Sequence, residues 1–258
     1  MQSIPTAFAV LDILGYGNLM SREPSEVFKL ISELLHASEK HWHIQRDLDR
    51  FSHFSGSEYS PTIKYLQFSD TLIIWLQAED FAPKALRSPS QLVQSICYAT
   101  SFTLASFIFT GIPIRGAIGF GPTFISREPI FIVGSELYST IRLERKQKWA
   151  GAALHESAAN ALQQNMDDPF IKHYSAPMAP SYSPKPKLAV DWVSCVFNSN
   201  LIPPWEQLFD SKEPEIRQKC IETQKFYDEV RSQPQSFPAY LGEGTISEMQ
   251  QRLNSILS

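Results

Sequence analysis

The order of apolar segments in this chain predicts an α+β fold. It reads as a ferredoxin-like βαββαβ unit, one sheet with helices packed on one face, followed by additional C-terminal helices. Three observations carry that expectation. Short apolar runs of strand length (residues 8–13, 65–68, 71–76 and 114–118) stop at Gly, Ser, Asp or Pro. Longer segments with helical apolar spacing, residues 25–40 and 90–109, separate them. The chain is 258 residues long and 43% hydrophobic, enough for a sizeable core.

Taken in order, residues 8–13 (FAVLDI) form a strand ended by Gly15 and Gly17. Val27, Leu30, Ile31, Leu34 and Leu35 then recur at helical spacing, an amphipathic helix over 25–40. Residues 41–59 are polar, aromatic and rich in His and Ser, and read as a partly ordered loop. Two strands, 65–68 and 71–76, flank a tight turn at Ser69 and Asp70, and an apolar helix covers 90–109. Residues 114–118 and 130–133 read as strands joined by a connection containing Gly and Pro, and a helix starts at Gly134. The Ala-rich segment 150–164 is expected to be helical, and residues 175–187, with four prolines, to be an extended connector. Residues 188–193 (LAVDWV) are a strand candidate; 213–231 and 247–257 are helical by pattern. There is no internal repeat.

Charged residues make up 19% of the chain, with a net charge of −4 and a pI near 5.9. That balance argues against a non-specific nucleic-acid binder and leaves any anionic ligand to a few placed cations. Three widely spaced cysteines, Cys97, Cys195 and Cys220, suit free thiols in a reducing compartment. No basic stretch followed by an apolar run marks a secretory signal at the N-terminus. Residues 95–114 carry no charge, but Ser95, Thr100, Ser101, Thr103, Ser106 and Thr110, then Gly111 and Pro113, favour a core helix running into a strand over a membrane span. The expectation is a cytoplasmic protein.

Asp12 stands at the end of an apolar strand (LDILGYG) and Asp70 in a hairpin turn (FSDTLII). A carboxylate among apolar strands is costly unless paired or bound to a metal. Two at neighbouring strand ends can hold two Mg²⁺ or Mn²⁺ ions, the arrangement suited to in-line phosphoryl displacement. From pattern alone, the two equally serve as strand terminators or turn caps. His41, His43 and His53 lack supporting cysteines or carboxylates and read as a solvated loop. Trp149 reads as a core residue; Lys185 and Lys187 could each reach a phosphate but read rather as solvated lysines, and His155 and Glu156 accompany no hydrolase triad.

The wording of four segments resembles the class III nucleotidyl cyclases. LDILGYG resembles their opening metal-Asp motif, and FSDTLII their second metal-Asp hairpin. Arg115 to Gly121 (RGAIGFG) is similar to their strand beginning with Arg, with Gly119 in place of the usual His. The helix following Gly134 is similar to the one bearing two transition-state residues one turn apart; Tyr138 replaces the usual Asn and Arg142 matches the Arg. The motifs stand in family order over roughly residues 8–150.

This resemblance implies a cyclase catalytic domain over 1–195, with 196–258 a helical extension packed on it. Asp12 and Asp70, with the Ile13 carbonyl, would hold two divalent cations, Mn²⁺ or Mg²⁺. The backbone amides of Leu14, Gly15, Tyr16 and Gly17 would cradle phosphates, and Arg115 would contact the triphosphate. Arg142 would stabilise charge on the α-phosphate, and Tyr138 would stand by the ribose. Family sites lie between two chains, which implies a homodimer with shared active sites. The base-reading positions are Leu66 and Phe131, neither able to hydrogen-bond a purine edge. With the late LAVDW, the set resembles the bacterial pyrimidine cyclases of the Pycsar antiphage system, with UTP ahead of CTP as substrate. A purine cyclase with unusual base contacts and a catalytically silent nucleotide-binding sensor are the alternatives.

Overall fold

The structure is a computed structural model and describes residues 3–44, 63–78, 88–127, 130–162, 168–196, 201–209, 213–233 and 243–257. Strand β1 (Ile4–Ile13) leads through a short helix α1 (Tyr16–Met20) into helix α2 (Pro24–Ile44). The hairpin β2 (Lys64–Phe68) and β3 (Thr71–Gln77) follows, then helix α3 (Pro89–Thr110) and strand β4 (Ile114–Arg127). Strand β5 (Ile130–Val133), helix α4 (Ser135–Lys146), strand β6 (Ala152–Leu154) and helix α5 (Glu156–Leu162) continue the chain. Strands β7 (Ile171–His173) and β8 (Leu188–Val190) precede helices α6 (Trp205–Phe209), α7 (Pro214–Arg231) and α8 (Glu243–Leu257).

The sheet order is β2-β3-β1-β4-β6-β8-β7, with β5 paired to the far half of β4. Its first four strands pair antiparallel throughout, β2 on β3, β3 on β1 and β1 on β4. That is the βαββαβ arrangement the sequence predicts, with α2 and α3 as its two crossovers. Strand alternation divides β1 between two faces. Ala7, Ala9, Leu11 and Ile13 enter the main core with α2 and α3; Phe8 and Val10 join Leu137 of α4 in a second cluster. Helices therefore cover both faces of the sheet, not one as expected from sequence.

Helix α3 is long and apolar enough to cross a membrane, but 94% of its most apolar window is buried inside the protein. It opens on a Ser88–Gln91 capping box and closes on Gly111 in a left-handed conformation (φ 103°). Two of the polar side chains along it bond back to the helix's own carbonyls: Thr103 Oγ1 donates to Ala99 O and Thr110 Oγ1 to Ser106 O. All three cysteines are buried and free.

Three other sequence expectations are corrected. Residues 119–122 do not end the strand at 118; β4 runs on through them and pairs along β1 as far as Ile4↔Thr123. The segment expected to be helical over 150–164 is, within the described residues, a buried strand paired with β4 and β8 and then a short helix that ends at Leu162. Helix α2 extends through Ile44, so His41 and His43 are on a helix; His53 lies outside the described residues. Helix α8 packs on α2 and α3, and α7 packs on α6. Trp149, fully buried, stacks edge-on to Phe226 of α7, and Thr223 Oγ1 accepts from Ala150 N and lies 2.8 Å from Ala150 O.

Candidate active site

The register places the two aspartates together. Asp12 sits opposite Thr71, the residue after Asp70, and Ile13 N donates to Asp70 O at 2.9 Å. The turn between β2 and β3 is tight enough to need Ser69 at φ 57°. On its other side Asp12 pairs with Arg115, the second residue of β4. Arg115 Nη2 lies 3.1 Å from Asp12 Oδ2 and Arg115 Nε 2.5 Å from Glu144 Oε1 of α4. The guanidinium is buried and thus clamps β1, β4 and α4 at one point. Arg115 is therefore not a surface arginine; its fork meets two carboxylates of its own chain.

Burial raises the Asp12 carboxyl above its ordinary value; Arg115 opposes that rise, Asp70 adds to it, and Lys219 of α7 opposes it. Burial likewise raises Glu144, again opposed by Arg115. Lys219 is buried, 3.2 Å from Glu215 Oε1, which Lys148 also approaches at 3.1 Å. Sequence reading missed Lys219, since nothing in a mixed-charge helix marks which lysine will face inward. Gln147 completes the cluster: its side chain donates to Gly116 O and accepts from Trp149 Nε1 at 2.7 Å.

After Asp12, Leu14 N donates to Pro113 O at 2.9 Å. That amide cannot serve an anion, which narrows the expected cradle. Gly15 is left-handed (φ 76°) and opens α1; the amides of Gly15, Tyr16 and Gly17 make no backbone hydrogen bond among the described residues.

Helix α4 lies directly on β4. A Cβ at Gly119 would meet Thr140 Oγ1 at 2.1 Å and the Phe8 ring at 2.5 Å, so no His fits where the family resemblance would have one. Leu137, Thr140, Leu143 and Glu144 face inward from α4. Tyr138 and Arg142 are exposed on its outer side.

Arg142 lines a cavity of about 660 Å³ with His155, Glu156, His173, Tyr182, Lys185 and Lys187. The proline-containing connector before β8 folds its two lysines onto the same cavity as Arg142, which a local reading of 175–187 does not reveal. His155 is held below its ordinary pKa by burial, and its Nδ1 is 2.9 Å from Ser157 Oγ. Neither Asp12, Asp70 nor Tyr138 lines this cavity. Leu66, half-buried on β2, and Phe131, exposed on β5, do not line it either. Within one chain the carboxylate pair and the cationic cavity are separate features. Among the described residues no group of three or more His, Cys, Asp or Glu side chains could hold a metal ion alone.

No family model matches the chain, and no curated protein matches it. Several solved structures are similar to it. The monomeric guanylyl cyclase domain of the RhoGC fusion protein from the aquatic fungus Blastocladiella emersonii shares 16% identity over 63% of this chain and 89% of that one, with a TM-score of 0.46. The guanylate cyclase domain of RhGC from Catenaria anguillulae, in complex with GTP, shares 12% over 74% of this chain and 97% of that one, TM-score 0.45. A bacterial light-regulated adenylyl cyclase shares 12% over 80% and 95%, TM-score 0.45.

Proposed function

We propose that this chain is a nucleotidyl cyclase of the class III kind. It would convert a pyrimidine nucleoside triphosphate, UTP ahead of CTP, to the 3′,5′-cyclic monophosphate and pyrophosphate. The observation that carries this reading is the pairing of Asp12 and Asp70 across neighbouring strand ends, beside a buried arginine that holds Asp12 in place.

The residues fit hard divalent cations such as Mn²⁺ or Mg²⁺. Asp12 and Asp70 are oxygen donors, and a cation with only two carboxylates takes its remaining ligands from substrate phosphates and water. The Ile13 carbonyl is a further donor at the same strand end. When bound, such cations neutralise triphosphate charge and ease ionisation of the ribose 3′-hydroxyl. In the reaction the 3′-oxygen loses its proton to solvent and bonds to the α-phosphorus. The bond from that phosphorus to the bridging oxygen breaks, and pyrophosphate leaves.

The chain's own residues have distinct tasks. The amides of Gly15, Tyr16 and Gly17 bind phosphate oxygens. Arg142 stabilises charge on the α-phosphate, and Lys185 and Lys187 meet the remaining phosphate charge in the same cavity. Arg115 serves through Asp12 rather than by touching substrate. Tyr138, one turn from Arg142 on α4, would stand by the ribose from the same chain as Arg142, and Leu66 and Phe131 would border the base.

Because Asp12 and Asp70 do not line the Arg142 cavity of their own chain, a complete site needs two chains. Exposed Phe68, Phe124, Phe131, Val133 and Tyr138 offer apolar surface on the β2, β4–β5 and α4 side for such a homodimer. The catalytic unit would be 1–195, with 196–258 bracing it, in a cytoplasmic protein. The cyclic pyrimidine nucleotide would act as a second messenger in antiviral defence.

Mixing two dead variants tests the shared site. Asp70→Ala and Arg142→Ala alone should form no cyclic UMP from UTP and Mn²⁺. An equimolar mixture re-equilibrated as dimers should regain about one quarter of wild-type activity, since half the dimers carry one intact site. A mixture as inactive as its parents, with dimers exchanged, rules the shared site out.

A further inference from the structure

Among the described residues the buried cations are Arg115 and Lys219. Arg115 is clamped between Asp12 and Glu144, whereas Lys219 comes from α7, outside the ferredoxin-like unit. Burying an ammonium is costly unless its charge is met. The carboxylate beside Lys219, Glu215 at 3.2 Å, is itself largely exposed and shared with Lys148 at 3.1 Å.

The inner face of α7 lies against the strand ends that carry the carboxylates. Ile216 meets the turn after Asp12: a Cβ on Gly15 would stand 3.4 Å from Ile216 Cδ1. Thr223 Oγ1 accepts from Ala150 N at 2.7 Å, and the next residue, Gly151, accepts through its carbonyl from Gly116 N of β4 at 2.8 Å. Lys148, which holds Glu215, follows Gln147, whose carbonyl lies 3.5 Å from Arg115 Nη1. Lys219 stands between Ile216 and Thr223 on the same buried face of the helix. Its charge reaches Asp12, where it opposes the rise caused by burial. Lys219 is held below its own ordinary value by burial first and then by Arg115.

We propose that Lys219 is a positioning residue of the Asp12–Asp70 site: its buried positive charge, delivered by α7, weakens the hold of that site on free divalent cations and strengthens its hold on the triphosphate. A fixed charge acts with opposite sign on ligands of opposite charge. A cation bound alone meets attraction from Asp12 and Asp70 and repulsion from Lys219. A triphosphate on the amides of Gly15, Tyr16 and Gly17 meets only attraction from it. Cation and triphosphate together are thereby favoured over the cation alone. The triphosphate half rests on the cyclase reading; the cation half rests on the two carboxylates.

Lys219→Met keeps the length and apolar stem of the side chain and removes its charge; Lys219→Gln is read in its place should that variant not fold. Mn²⁺ is titrated into the full chain and the free ion followed by its EPR signal. Lys219→Met should bind Mn²⁺ about tenfold more tightly than wild type, and Lys219→Arg, which keeps the charge, within about twofold of it. Asp70→Ala should lose the binding, which locates it. The KM for UTP should rise about fivefold in Lys219→Met while kcat changes less than about twofold. Loosened packing would weaken both ligands together, so the opposite signs separate charge from structure. Mn²⁺ affinity in Lys219→Met equal to or weaker than that of wild type, with Asp70→Ala still losing it, overturns the proposal and leaves the cyclase reading standing. Absence of Mn²⁺ binding in wild type overturns the proposal as well. Tightened Mn²⁺ binding in a chain that forms no cyclic nucleotide supports the role of Lys219 at the carboxylates and counts against the cyclase reading.

Discussion

Replacing Arg115 by Met removes the one cation placed between two carboxylates. Glu144 is almost fully enclosed, with 5% of its side chain exposed, whereas Asp12 retains 24% and some contact with water. Breaking a buried pair by removing one partner costs about 3–5 kcal/mol, because the remaining charge stays buried. Arg115→Met should lose that amount, with most of it at Glu144. For a chain of this size that is a fall in Tm of roughly 6–20 °C. The sign of the pH dependence follows from the direction of the shift. Glu144 already sits above its ordinary 4.5, and losing Arg115 raises it further. Its charged form is then disfavoured in the fold, so stability is lost as pH rises from the unfolded value through the folded one. The deficit of the variant should be larger at pH 8 than at pH 5. Glu144→Gln in the Arg115→Met background should recover about 2 kcal/mol, since the uncompensated charge is gone. Urea unfolding of wild type, both single variants and the double variant measures all of this. A deficit below about 1 kcal/mol, or no recovery in the double variant, refutes the clamp.

Three further outcomes follow from packing and burial. Gly119→Ala puts a methyl into Thr140 and the Phe8 ring and should cost about 1–3 kcal/mol by urea unfolding, partly restored by Thr140→Ala. The Asp168 carboxyl is pushed by burial from 3.8 to about 6, so stability should fall as pH rises between those values, by about 3 kcal/mol at most. Asp168→Asn, which keeps an acceptor for Phe170 N, should flatten that part of the unfolding profile. Thr223→Val removes a buried hydroxyl that accepts from Ala150 N, and should cost about 1–3 kcal/mol in the same assay.

The ferredoxin-like half of the fold was legible because its strands are short apolar runs closed by turn residues. Ser69 and Asp70 marked the hairpin, and the uncharged run over 90–109 marked helix α3. The misreadings have a common cause in tertiary packing. Gly119 and Gly121 look like strand breakers, yet each is a glycine because α4 lies where its side chain would be. Ala152 and Ala153 favour a helix by propensity, but they are buried in a strand hydrogen-bonded to β4 and β8. Asp12 and Asp70 were legible as strand-end carboxylates. Their juxtaposition needed the register, and the commitment of Arg115 to Asp12 and Glu144 needed α4 in place. Lys185 and Lys187 were read as solvated rather than phosphate-reaching, and Lys219 was not legible at all, since the fold brings each one in.

The central claim is that the Asp12–Asp70 pair serves formation of a cyclic pyrimidine nucleotide. Purified protein incubated separately with ATP, GTP, CTP and UTP, each with Mn²⁺ or Mg²⁺, tests it most directly when products are resolved by mass. The prediction is cyclic UMP as the main product with cyclic CMP next, lost in Asp70→Ala while the fold persists. Cyclic AMP or cyclic GMP as the main product, or a product retained in Asp70→Ala, would contradict it.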